Sequence, residues 1–250
     1  MCDWRGVIRT SWEVWPDDDR LVKGLNAEFE LFEPFRREVR GTATEVGHGD
    51  ASHVLKSQRE EETPNFMPNY LELPVGENAP ELVNAVIEIP LDGINKYEYD
   101  KKLHVFRLDR NLFSPVHYPG DYGFIPSTLA EDNDPLDVLV LVDSPSFTGC
   151  VLQVRPIGVL DMIDQGQPDQ KILAVGEGNP RYTDVANYSQ VYPHILREIK
   201  HFFSIYKDLE GKRVEVRGWG DAASARALIT KSKAAFDEKK KGAEATSKKS

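Results

Sequence analysis

The chain has 250 residues and a formal charge of −10, a balance that disfavours nucleic acid and anionic membrane as partners because phosphate backbones demand a basic surface. Its 40% hydrophobic content supports an ordinary globular core, and no apolar run reaches membrane-spanning length. With only Cys2 and Cys150, no apolar signal region and an acidic N-terminus, the chain is expected to lack a disulfide framework and to be cytoplasmic.

Residues 1–66 are charged and irregular, with acidic runs at 17–19 and 60–62. A compact domain is expected over residues 67–235. Within it, short segments rich in β-branched and aromatic residues predict strands at 84–89, 96–100, 104–109, 137–142, 151–160 and 171–175. Ile195, Ile199, Phe202 and Tyr206 recur at helical spacing, predicting a helix that stops near Gly211. Val214 and Val216 alternate with Glu215 and Arg217 as in a further strand, and Asp221 is the expected N-cap of a second helix. Residues 236–250 are rich in Lys, Glu and Ser, and a charged, disordered tail is expected there. Many strands followed by two helices predict a mainly β fold, a small barrel or curled sheet with helices packed outside.

The strongest chemical signal is Asp132-Asn133-Asp134-Pro135-Leu136-Asp137, immediately before an apolar strand. Two carboxylates about 4 Å apart repel by roughly 4 kcal/mol at an effective dielectric near 20. Three converging there would take up protons or splay apart unless a cation joined them. An Asp-rich hexamer is ordinarily a solvated turn, but Pro135 stiffens this one and a buried strand anchors it. The EF-hand pattern fails, since its glycine position is Asp137 and its last position is Asp143. No His or Cys lies near, so oxygen ligands point to magnesium, with manganese as a possible substitute.

A second acidic loop runs from Asp164 to Lys171, where Gly166 and Pro168 mark a turn. An extended chain after that turn puts Asp169 and Lys171 on one face. Glu88 interrupts an apolar alternation and by itself is an ordinary surface residue. Lys96 and Glu98 share one strand face, Arg110 ends the next strand, and Tyr118 and Tyr122 flank a Pro-Gly-Asp turn. Tyr206 continues the apolar stripe of the first helix and Lys207 follows it. Each is unremarkable alone; together they resemble a phosphate site, with charge-assisted donors and orienting hydroxyls. The glycine pattern at Gly176-Glu177-Gly178 fails as a dinucleotide fingerprint at Arg181, and no Walker A loop is present.

Residues 132–138 satisfy every position of D-[SGDN]-D-[PE]-[LIVMF]-D-[LIVMGAC], and with VIEIP, KYE, YPGDYGFIP, RPIGV, MIDQG and YKDLE the chain resembles the soluble family I inorganic pyrophosphatases over about residues 69–235. EDNDPLDVLVL followed by MIDQG is similar to the plant and cyanobacterial branch, and VEVRGW to bacterial members. The resemblance implies a five-stranded OB-like closed barrel with flanking helices, and magnesium-dependent hydrolysis of pyrophosphate to two phosphates by a metal-activated water. It implies Asp132, Asp137, Asp164 and Asp169 as metal ligands, with Glu88 near a further ion. It gives Asp134 the role of general base, a role also ascribed to the position of Asp169. It assigns phosphate binding to Lys96, Arg110, Tyr122, Lys171, Tyr206 and Lys207, and makes Glu98 and Tyr118 pocket walls. Gln165 departs from the glutamate of many bacterial members. A homo-oligomer, hexameric by analogy, is expected. The rival readings are a hydrolase of short polyphosphate or nucleoside triphosphate, and a catalytically silent member that binds metal or phosphate. Because the similarity begins beside Met67, the native start is expected there, with residues 1–66 as upstream sequence read in frame; a regulatory extension is the alternative.

Overall fold

The structure, a computed structural model, describes residues 68–247. The expectations for residues 1–66 and for a start at Met67 lie outside the described residues. Nine strands are described: β1 (Val83–Ile89), β2 (Asn95–Asp100), β3 (Val105–Asn111), β4 (Asp121–Ile125), β5 (Leu136–Leu141), β6 (Val151–Asp164), β7 (Gln167–Pro168), β8 (Lys171–Gly176) and β9 (Val214–Asp221). Two α-helices, α1 (Pro193–Ile205) and α2 (Ala222–Ser247), accompany them.

The strands pair in the order β1-β4-β5-β8-β6, and β6 pairs again with β1, so five strands form a ring. This is the five-stranded barrel that the family resemblance implies. Strands β7 and β9 extend from β6, whereas β2 and β3 form a separate two-stranded sheet.

The apolar runs are continuous because both faces of the central strands are covered. Successive side chains point to opposite faces. Along β5, Val138 and Val140 join the cluster holding Ala225 and Ile229 of α2, while Leu139 and Leu141 join the one holding Ile199, Phe202 and Phe203 of α1. Strand β8 divides in the same way: Ile172 and Ala174 face the first cluster, Leu173 and Val175 the second.

Strand β4 is absent from the sequence expectation, which has a turn at Pro119-Gly120-Asp121 and nothing after it. Gly123 masks the strand signal and is also what permits the pairing. A Cβ there would stand 1.9 Å from the Val86 carbonyl oxygen of β1.

Two expected ends differ. Helix α1 stops at Ile205 rather than near Gly211; a 3-10 turn over Asp208–Glu210 follows, closed by Gly211 at φ 69°. Tyr206 and Lys207 therefore lie just beyond the helix. Helix α2 begins as expected, with Asp221 Oδ1 accepting from the Ser224 amide and hydroxyl at 2.8 Å each. It then continues to Ser247, where the sequence predicts a disordered tail from residue 236. Lys, Glu and Ala are strong helix formers. A Lys233–Asp237 pair one turn apart (2.6 Å) and the Lys240–Glu72 pair (2.9 Å) support the extension.

Candidate active site

Strands β5 and β8 run parallel, in a register that sets Asp137 beside Lys171 at the entrance of both. Lys171 Nζ pairs with Asp137 and Asp169 together, its side chain only 5% exposed. The Asp169 carboxylate reaches this point because β6 reverses through Gln165 (φ 49°) and Gly166 (φ 87°). Positive φ at both positions is the geometry of a two-residue hairpin turn. The Asp169 amide then donates to Met162 O at 2.9 Å, fastening the returning chain to β6. Asp164, the last residue of β6, pairs through Oδ2 with Lys207. Its buried Oδ1 has no hydrogen-bond partner among the described residues.

The β2–β3 hairpin forms one wall. Lys96 pairs with Glu98 and stands 3.7 Å from Asp109. The Tyr99 amide donates to Glu88 Oε1 at 2.8 Å, tying the hairpin to β1. Tyr118 and Tyr122, which also line the cleft, pack with ring centroids 5.2 Å apart, Tyr118 against Phe202 at 4.8 Å. Tyr206 packs on Phe202 at 5.3 Å. Asp132 and Asp134 stand exposed at the rim.

Every expected site residue except Arg110 lines this one cleft of about 430 Å³. Arg110 is turned to Asp109 and to the nearly buried Glu210, whose Oε1 lies 3.0 Å from Nε. Lys101 also lines the cleft, pairing with Asp134, and was missed by sequence reasoning. A lysine in a turn between strands gives no signal beyond that of a solvated head.

Burial governs the electrostatics. It pushes the Glu88 carboxyl up to about 8, against the Tyr99 amide that favours its charge. It also raises Asp137, which the Lys171 charge opposes and the Asp169 charge reinforces. Burial alone would lower Lys171, but the charges of Asp137 and Asp169 outweigh it and keep the ammonium protonated. Tyr118, Tyr122 and Tyr206 are all raised, by burial first, and so remain hydroxyl donors at neutral pH.

The acidic side chains offer oxygen only, the donor set of a hard divalent cation. Among the described residues, no three His, Cys, Asp or Glu side chains are already gathered as a cage, for lysine heads stand between the carboxylates. The unpartnered, buried Asp164 Oδ1 leaves an acceptor open beside Asp137 and Asp169 in the same cleft, so the residues fit such an ion.

The family model for inorganic pyrophosphatase matches residues 85–237. The chain belongs to the inorganic pyrophosphatase family. Among its relatives, an inorganic pyrophosphatase of Halalkalibacterium halodurans is 53% identical over 150 residues, 60% of this chain and 92% of the relative. One from Nostoc sp. is 51% identical over 157 residues, 63% of this chain and 93% of the relative. The crystal structure of inorganic pyrophosphatase from Thermus thermophilus superposes with a TM-score of 0.67 at 44% identity, covering 68% of this chain and 99% of that one. The match makes the ring of five strands in this pyrophosphatase-family chain a shared scaffold, with the cleft at one end of β5 and β8.

Proposed function

We propose that the chain hydrolyses inorganic pyrophosphate to two phosphates, with Asp132, Asp137, Asp164 and Asp169 holding magnesium, or manganese in its place, and Glu88 beside a further ion. What carries this reading is the meeting of carboxylates, lysines and protonated tyrosines from separate segments in one cleft. When bound, the ions neutralise the polyanion and acidify a water molecule.

The chain's own groups divide the remaining work. Asp134 accepts the proton of the attacking water, for which an exposed carboxylate lining the cleft is suited. Asp169, paired with Lys171, is the alternative base. Lys171 and Lys207 bring charged donors to the phosphate oxygens and Lys96 adds charge from the hairpin, while Arg110 joins them only by turning from Asp109 and Glu210 towards the cleft. The hydroxyls of Tyr122 and Tyr206 orient the anion; Glu98 and Tyr118 shape the wall.

Residues 67–235 form the catalytic domain in this reading. The protein works in the cytoplasm as a homo-oligomer, a hexamer by family analogy. Exposed Phe113 and Phe147 offer apolar surface for assembly, and no helix among the described residues is long and apolar enough to cross a membrane.

Phosphate release measured with magnesium on pyrophosphate, tripolyphosphate and a nucleoside triphosphate tests the assignment. Pyrophosphate is expected to be hydrolysed with the highest kcat/KM. A preference for either longer substrate would favour the broader hydrolase instead.

A further inference from the structure

We propose that Lys101, at the tip of the β2–β3 hairpin, is a positioning residue that orients the Asp134 carboxylate across the cleft mouth. The inference rests on Asp134 acting as base and extends that reading to a residue that the aspartate signature does not contain.

Both partners stand on backbone that is already fixed. On the hairpin side, Asp100 Oδ1 accepts from the amides of Lys102 and Leu103 at 2.9 Å each, its Oδ2 pairs with Arg107 at 3.0 Å, and the His104 amide donates to Asp100 O at 2.9 Å. On the acidic side, the Ala130 amide donates to Asp134 O at 2.8 Å and the Asp134 amide donates to Asp132 Oδ1 at 3.0 Å. Asn133 turns the loop at φ 70°.

The Asp134 side chain itself is 63% exposed, and among the described residues its carboxylate is held by Lys101 Nζ alone. An exposed aspartate otherwise samples several staggered rotamers. A base works only within hydrogen-bond reach of the proton it takes. The ammonium of Lys101, reaching across 33 residues of sequence between two rigid tips, selects the rotamer that points into the cleft. The same pair joins the hairpin, which has no strand pairing with the barrel, to the acidic loop.

An exposed ion pair contributes little free energy, so the expected effect on turnover is about two- to fivefold. Steady-state phosphate release from pyrophosphate with magnesium is measured on the full chain and on D134N, K101M and K101R. The expected result is a lower kcat in K101M with KM and thermal midpoint unchanged, and restoration of kcat in K101R. A raised KM at constant kcat would make Lys101 a direct anion contact and overturn the proposal. So would unchanged kinetics, a lowered midpoint that accounts for the loss, or failure of K101R to restore kcat. D134N separates the two layers: wild-type turnover there removes the base reading, whereas lost turnover with an unaltered K101M removes only the role of Lys101.

Discussion

Asp134 and Glu88 stand in contrasting surroundings within one cleft. Asp134 is solvated at the rim; Glu88 is drawn up to about 8 by burial. Asp134→Asn is expected to fold with an unchanged thermal midpoint and to lose about a hundredfold or more in kcat, the scale of general-base catalysis; full turnover would contradict its role. For Glu88, the folded chain holds the proton more tightly than the unfolded chain, whose value lies near 4.5. Its contribution is therefore fully present below that value and is lost as pH rises towards 8. In chelator-treated protein, denaturant unfolding from about pH 5 to about pH 9 should show wild type losing stability relative to Glu88→Gln. Parallel pH profiles would contradict the buried, uncompensated charge. The aspartates, lysines and tyrosines of the cleft were legible because their spacing matches a known pattern. The orientation of Arg110 towards Glu210 and the pairing of Lys101 with Asp134 were not. Both contacts span distances in sequence, 100 and 33 residues, over which no local periodicity operates.

At the scale of elements, strands β5 and β8 announced themselves by apolar runs, and α1 and α2 by periodicity and the Asp221 cap. Strand β4 did not, because its five residues contain the glycine that lets β1 approach. Gly123→Ala is expected to destabilise the fold by about 4 kcal/mol or more, since the added Cβ meets strand backbone that cannot yield. The check is the denaturant midpoint, and a midpoint within error of wild type would show that β1 and β4 are further apart than described. The tail was misjudged for a different reason. Composition reports that residues 236–247 are solvated, but a helix can be solvated on most of its surface when its residues favour the conformation and a preceding packed segment nucleates it. The packed face of α2, Ala225 and Ile229, supplies that nucleus upstream.

For the whole molecule, the barrel converts distant segments into one charge arrangement. An acidic chain handles an anion by holding cations among its carboxylates: in this structure lysines occupy that place, and in the proposed working state divalent ions share it. The closed ring was legible from the resemblance, whereas the strand pattern left a barrel or a curled sheet open, and the order in which β6 pairs with β1, β8 and β9 depends on tertiary register, which the sequence pattern does not specify. The most direct measurement is phosphate release from pyrophosphate by the full chain with magnesium, after chelation, and after magnesium is restored. Release is expected with the metal, near-complete loss on chelation and recovery on its return. Equal release in chelator would contradict the assignment of the aspartate cleft to a metal-dependent hydrolysis.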